Sequence, residues 1–130
     1  MVNAKVTLYE YANAGVQGQP NPSYIQVAVV NDNWNPTTLS WNTAPPIEEN
    51  IGSILVNTKS QPVIPPPGLA ATWDVSIAVA QAYRTGQPLR LLFYFYSSDN
   101  QYNTGKYFWS SYVGDWNARG RPTLQVTLSR

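Results

Sequence analysis

The chain has 130 residues, a net charge of +1, only 12% charged residues and 13% aromatic ones. That is one domain with enough apolar residues for a core of its own, and no polybasic surface for nucleic acid or anionic membrane. It has no Cys and no His, which excludes thiol chemistry, disulfides and zinc sites of the usual nitrogen and sulfur type.

The sequence opens without a basic segment leading into an apolar one, so the chain is expected to be cytosolic, already processed, or cut from something longer. No apolar run approaches the ~20 residues of a spanning helix, and no membrane insertion is expected. Residues 2–9 alternate, with Val2, Ala4, Val6 and Leu8 on one side and Asn3, Lys5, Thr7 and Tyr9 on the other, the pattern of a strand with one wet face. Residues 11–23 hold Gly15, Gly18, Pro20 and Pro22 and read as a loop. Residues 24–30 are apolar on both parities, as in a central strand covered on both faces.

In residues 34–46, WNPTTLSWNTAPP, Leu39 and Trp41 share a predicted strand face, and Trp34, Trp41 and Trp73 are assigned to the core or its rim. A short strand follows at 51–57. Residues 59–68, KSQPVIPPPG, are too rich in proline for a sheet centre and read as an extended crossover.

Residues 72–96 organise the rest. A strand end leads to a helix that Ser76 is placed to cap, with Val75, Val79 and Ala82 on one face and Gly86 and Pro88 to end it. From Leu89 the period becomes two. Leu89, Leu91, Phe93 and Phe95 are read as core, and Arg90, Leu92, Tyr94 and Tyr96 as a face half wet or covered by a neighbour.

Residues 97–105 form a polar loop that is expected to close a hairpin, and residues 106–112 alternate again. Residues 114–122, GDWNARGRP, make a second polar loop, and Thr123–Leu128 ends the chain with Leu124, Val126 and Leu128 facing in. Roughly seven short strands joined by long crossovers predict an all-β, two-layer antiparallel sandwich of jelly-roll type with one short helix. The whole chain, 1–130, is read as that single domain.

Catalysis would fall to seven carboxylates, Glu10, Asp32, Glu48, Glu49, Asp74, Asp99 and Asp115. Glu48 and Glu49 are adjacent on a proline-flanked segment and read as solvated charges, and Asp74 reads as a helix-entry residue. No enzyme activity is expected. Asp99, Asn100 and Asn103 are a weak calcium set in one loop, and no other cofactor is indicated. Sugar C–H faces stack on aromatic rings while sugar hydroxyls bond to polar side chains. Tyr94 and Tyr96 on one strand, with Tyr107 and Trp109 on the next, are expected to share a patch across the hairpin. Asp115, Trp116, Asn117 and Arg119 would form its loop-borne rim.

Several motifs occur in fixed order: Ala4-Lys5-Val6-Thr7-Leu8-Tyr9; WNPTTLSWN at 34–42; Trp73-Asp74-Val75-Ser76 followed by Val79 and Gly86; Tyr107-Phe108-Trp109-Ser110-Ser111; and Arg121-Pro122-Thr123-Leu124-Gln125-Val126. The ordered set resembles the DNRLRE-domain family, jelly-roll modules of large secreted bacterial and archaeal proteins, some classed as carbohydrate-binding modules. The resemblance implies an extracellular or cell-surface module that binds a polysaccharide or surface glycan. Two departures stand out. Pro36 occupies the place of the family's usual acidic residue, and the strands that precede the one matching residues 2–9 are missing. A sandwich short of a strand has an open edge, to be filled by a complementing strand from another chain such as a neighbouring subunit of a homo-oligomer, by a separate piece of the same parent protein, or by an internal rearrangement of this chain. The alternative function is therefore a structural subunit of a fibre, assembled by strand complementation.

Overall fold

A computed structural model describes residues 1–14, 21–30, 34–57, 64–95 and 104–129. The described residues form two antiparallel sheets. β1 (Val2–Asn13), β4 (Leu69–Asp74), β6 (Lys106–Phe108) and β7 (Thr123–Leu128) make one; β2 (Ser23–Val30), β3 (Ile47–Val56) and β5 (Leu91–Phe95) make the other. The chain is thus the all-β sandwich that its alternation predicts. β1 is the spine of the first sheet: β4 runs along one side, and β7 and then β6 share the other. β2 is the middle strand of the second sheet, between β3 and β5.

The core between the sheets holds Ala4 and Val6 of β1, Ile25 and Val27 of β2, Val56 of β3, and Ala71 and Trp73 of β4. Trp73 is the keystone. Its ring meets Phe93 of β5 edge-on at 5.0 Å and Phe108 of β6 at 6.4 Å. Its indole N–H donates to the Ile25 carbonyl at 2.9 Å, tying the two sheets together with a buried bond.

The one α-helix among the described residues, α1 (Ser76–Thr85), packs Ala78 and Val79 inward. Val75 rather than Ser76 is its N-cap. Ser76 does two other things: its backbone N–H donates to Asp74 Oδ1, and its hydroxyl accepts from the Ala4 N–H. Hydrogen bonds from Ser76, side chain first and backbone second, hold the Asp74 carboxyl below its ordinary range. Asp74 is the helix-entry residue its position predicts. Gly86 ends the helix at φ 68°, where a residue with a Cβ would be strained.

Other expectations need correction. Residues 39–41 are not a strand: residues 36–38 are a turn, Trp41–Thr43 a single 3-10 turn, and Trp41 is 95% exposed. The Asx-type bonds of Asn35 to Thr37 and the Thr43 hydroxyl to the Thr38 carbonyl satisfy this segment locally. Glu48 and Glu49 lie on β3, not in a loop, although both are exposed. β5 and β6 do not form a hairpin; β5 pairs with β2 in one sheet and β6 with β1 in the other.

The two long sides of the sandwich differ. β3 lies against β4, which closes one side. β5 and β7 make no comparable approach, and on this second side Leu124, Val126 and Leu128 of β7 are 51%, 41% and 54% exposed although they face inward, opposite Val6, Ala4 and Val2.

Candidate functional site

The absence of the hairpin separates the predicted patch. Tyr94 is on the outer face of the second sheet. It is the register partner of Gln26, and its hydroxyl donates to Asn50 Oδ1 at 2.7 Å from the far side of β2. The ring therefore lies across β2, where Gln26 and Ala28 are buried. Tyr94 is a cover for its own sheet. Tyr96, Asp99, Asn100 and Asn103 lie outside the described residues.

Tyr107 and Trp109 do come together, on the outer face of the first sheet, with a ring the sequence reading left out. At the end of β1 the register with β6 shifts between Glu10 and Ala12, a bulge that carries Tyr11. Tyr11 stacks on Trp109 with centroids 4.3 Å apart and planes 28° apart, and meets Tyr107 at 6.1 Å. Trp109 in turn receives Trp116 edge-on at 5.3 Å. The result is a row of four rings, Tyr107, Tyr11, Trp109 and Trp116. The inner two are half-buried, and the outer two, Tyr107 and Trp116, are 47% and 67% exposed. The signal for Tyr11 is a second tyrosine directly after Glu10, but alternation that stops at Tyr9 assigns it no face.

Trp109 is held in place by its backbone N–H, which donates to the Tyr9 carbonyl at 2.9 Å and carries the β1–β6 ladder one residue past β6. Trp116 is placed by the segment Asp115–Gly120, two short 3-10 turns that meet at a kink at Asn117. Its ring lies so close over Gly114 that a Cβ there would come within 2.8 Å of the indole. Arg121 fixes the base of this loop, donating to the Val113 carbonyl at 2.9 Å and pairing with Asp115 at 2.6 Å. Beside Trp116 is a cleft of about 280 Å³ lined by Pro66, Pro67 and residues 115–119. Asp115 and Arg119 are exposed at its rim, whereas Asn117 is buried beneath the loop and is a packing residue.

Behind the aromatic row, on the inner side of β1, is a polar pocket. Glu10 is fully buried opposite Phe108, and neither carboxylate oxygen has a hydrogen-bond partner. Burial pushes its pKa up to about 7, against a smaller pull downward from Lys106. Burial likewise lowers the Lys106 pKa, offset in part by Glu10. The Lys106 ammonium donates instead to the carbonyls of Asn21 and Thr104, at 2.7 and 2.8 Å. Asn13, the register partner of Lys106, also has buried amide atoms without partners.

A second depression, about 380 Å³, lies between α1 and the second sheet, lined by groups that include Glu48, Glu49, Gln81 and Thr85. No aromatic ring among the described residues lines it. No helix among the described residues is long and apolar enough to cross a membrane. No family model matches this sequence, and no curated protein matches it either.

Proposed function

We propose that this chain is a non-catalytic, extracellular carbohydrate-binding or adhesive module of the kind that its resemblance to the DNRLRE-domain modules implies. The observation that supports the reading is the ring row Tyr107–Tyr11–Trp109–Trp116 on one outer face, with Asp115 and Arg119 beside its more exposed end. Exposed aromatic rings next to ionic groups suit a ligand that offers apolar C–H faces and hydroxyls together. The two exposed rings are separated by two half-buried ones, which favours an extended polysaccharide over a single sugar. Trp109, clasped between Tyr11 and Trp116, supports the platform, and Trp116 and Tyr107 do the docking.

The test is a glycan array followed by tryptophan-fluorescence titration of the best binder. Trp116→Ala is expected to weaken binding at least tenfold, about 1.4 kcal/mol or more, and Tyr94→Phe to leave it unchanged. A chain that binds no glycan across the array, or a Trp116→Ala variant that binds as well as the parent, removes the proposal.

A further inference from the structure

We infer that two copies of this chain associate through β7, pairing antiparallel about a two-fold axis at Val126. The observation that starts the argument is that all six residues of β7 are exposed, on both faces, and that among the described residues β7 pairs with β1 alone. Its other edge is an unused row of main-chain donors and acceptors. Monomeric proteins blunt such edges with charge, proline, bulges or brevity. The remaining sheet edges here show those devices: β3 carries Glu48, Glu49 and two register shifts, β6 begins with Lys106 and β5 is five residues long, while β4 is shielded by β3. β7, Thr-Leu-Gln-Val-Thr-Leu, has no charge, no proline and no bulge.

The register follows from which amides are free. Met1 and Ser129 exchange two main-chain hydrogen bonds, 2.7 and 3.0 Å, so they form a hydrogen-bonded pair of the antiparallel ladder. Alternation then turns the main-chain groups of residues 127, 125 and 123 toward β1 and those of 128, 126 and 124 outward. Ala4, opposite Val126, agrees: its own N–H and C=O are engaged on the far side, with Ser76 and Val75.

A second β7 centred on Val126 therefore pairs Val126 with Val126 and Leu124 with Leu128, with about six main-chain hydrogen bonds. A register centred on Gln125 would bring Leu128 opposite Pro122, which has no N–H, so each end of that pairing would close on one bond instead of two. The favoured register also keeps the inward faces on the same side, so the half-exposed Leu124, Val126 and Leu128 of each copy lie side by side. Charge repulsion between the strands is nil. The outer faces of the two first sheets become one surface, and the two aromatic rows face the same way, so that a polymer spanning both would be held by avidity. The pairing itself rests on β7 and owes nothing to the glycan reading.

Sedimentation equilibrium of the unaltered chain is expected to show monomer–dimer exchange, with a dissociation constant between about 1 µM and 1 mM, the range of small transient interfaces. Val126→Cys gives a register test free of background, because the chain has no cysteine. Paired Val126 positions have Cα atoms about 5.5 Å apart, within disulfide range. Mild oxidation should convert the variant to covalent dimer. Leu124→Cys, about 13 Å from its own copy in this register, should cross-link at least tenfold more slowly. Val126→Pro removes an outward N–H without touching the β1 ladder and should give a folded monomer by circular dichroism and sedimentation. A chain that stays monomeric to about 1 mM, or Leu124→Cys cross-linking as fast as Val126→Cys, overturns the inference.

Discussion

From Val2 to Leu8, β1 alternates without interruption, its inner residues Ala4 and Val6 buried against Trp73 and β2, and its register with β4 and β7 unbroken. From Glu10 to Asn13 the same strand departs from every one of those habits. Its inward residues are now a glutamate and an asparagine with unpartnered polar atoms, its register with β6 shifts, and its outer face carries a stacked aromatic row. Nothing in strand geometry requires this change. The regular half builds the sandwich. In the irregular half stability is given up locally, as is common where a surface is shaped for something other than folding.

The largest effect expected from breaking that contrast is at Glu10. Its folded pKa, about 7, is above the ordinary 4.5, so the folded state holds a proton that the unfolded state has released between those values. The contribution of Glu10 to stability is therefore full below about pH 4.5 and falls as pH rises to about 7, by about 3 kcal/mol, then levels off. Glu10→Gln, which cannot ionise, should remove this slope, matching the parent at pH 4 and exceeding it by about 3 kcal/mol at pH 8.5. Urea unfolding at the two pH values measures both numbers. An unchanged slope would show that Glu10 is ionised and compensated in the folded chain.

A smaller effect is expected on the other side of the same stretch. Tyr11→Ala removes the stack on Trp109 and should cost about 1 kcal/mol beyond the area lost, together with a shift in near-ultraviolet circular dichroism as Trp109 loosens. The same substitution at Tyr9, which makes no ring contact within the row, should leave that spectrum alone.

The same contrast governs how much was legible in the sequence. Alternation over residues 2–9 and Thr123–Leu128 places two strands on the correct parity, because period two with one apolar face has a single physical reading, and residues 24–30, apolar on both parities, read as the central strand that β2 is. The apolar parity of β7 was read correctly as inward, yet inward proved not to mean covered, since what lies opposite a strand is decided by the other sheet. The aromatic patch was legible in residue type and not in partnership. Tyr94 and Tyr107 read as neighbours because a polar stretch joins their strands, but β5 pairs with β2 in one sheet and β6 with β1 in the other. Trp41 shows the limit of alternation in a short window: the Asn35 amide oxygen and the Thr38 and Thr43 hydroxyls compete for the backbone, and local hydrogen bonds displace the strand. Glu10 carries no sign of burial in the sequence, because its parity matters only once β1 continues past Tyr9.

The regular half of β1 offers the smallest effect, and it sharpens the comparison best. Thr7 is paired across the sheet with Thr72, their hydroxyls 2.9 Å apart on the solvent side, and with Thr123 on the other flank. Thr7→Val keeps the shape and the β-branch, so sheet packing is preserved and only one hydroxyl is lost. Water can take over the bond at Thr72 because the pair is exposed, which limits the cost to about 0.5 kcal/mol or less. If cross-strand pairing has real worth here, the double substitution Thr7→Val with Thr72→Val should cost less than the sum of the two singles, since the second removes a bond already broken. A value near 2 kcal/mol for Thr7→Val alone would mean that the regular half, too, depends on polar contacts, and the division of β1 into a structural half and a specialised half would lose its basis.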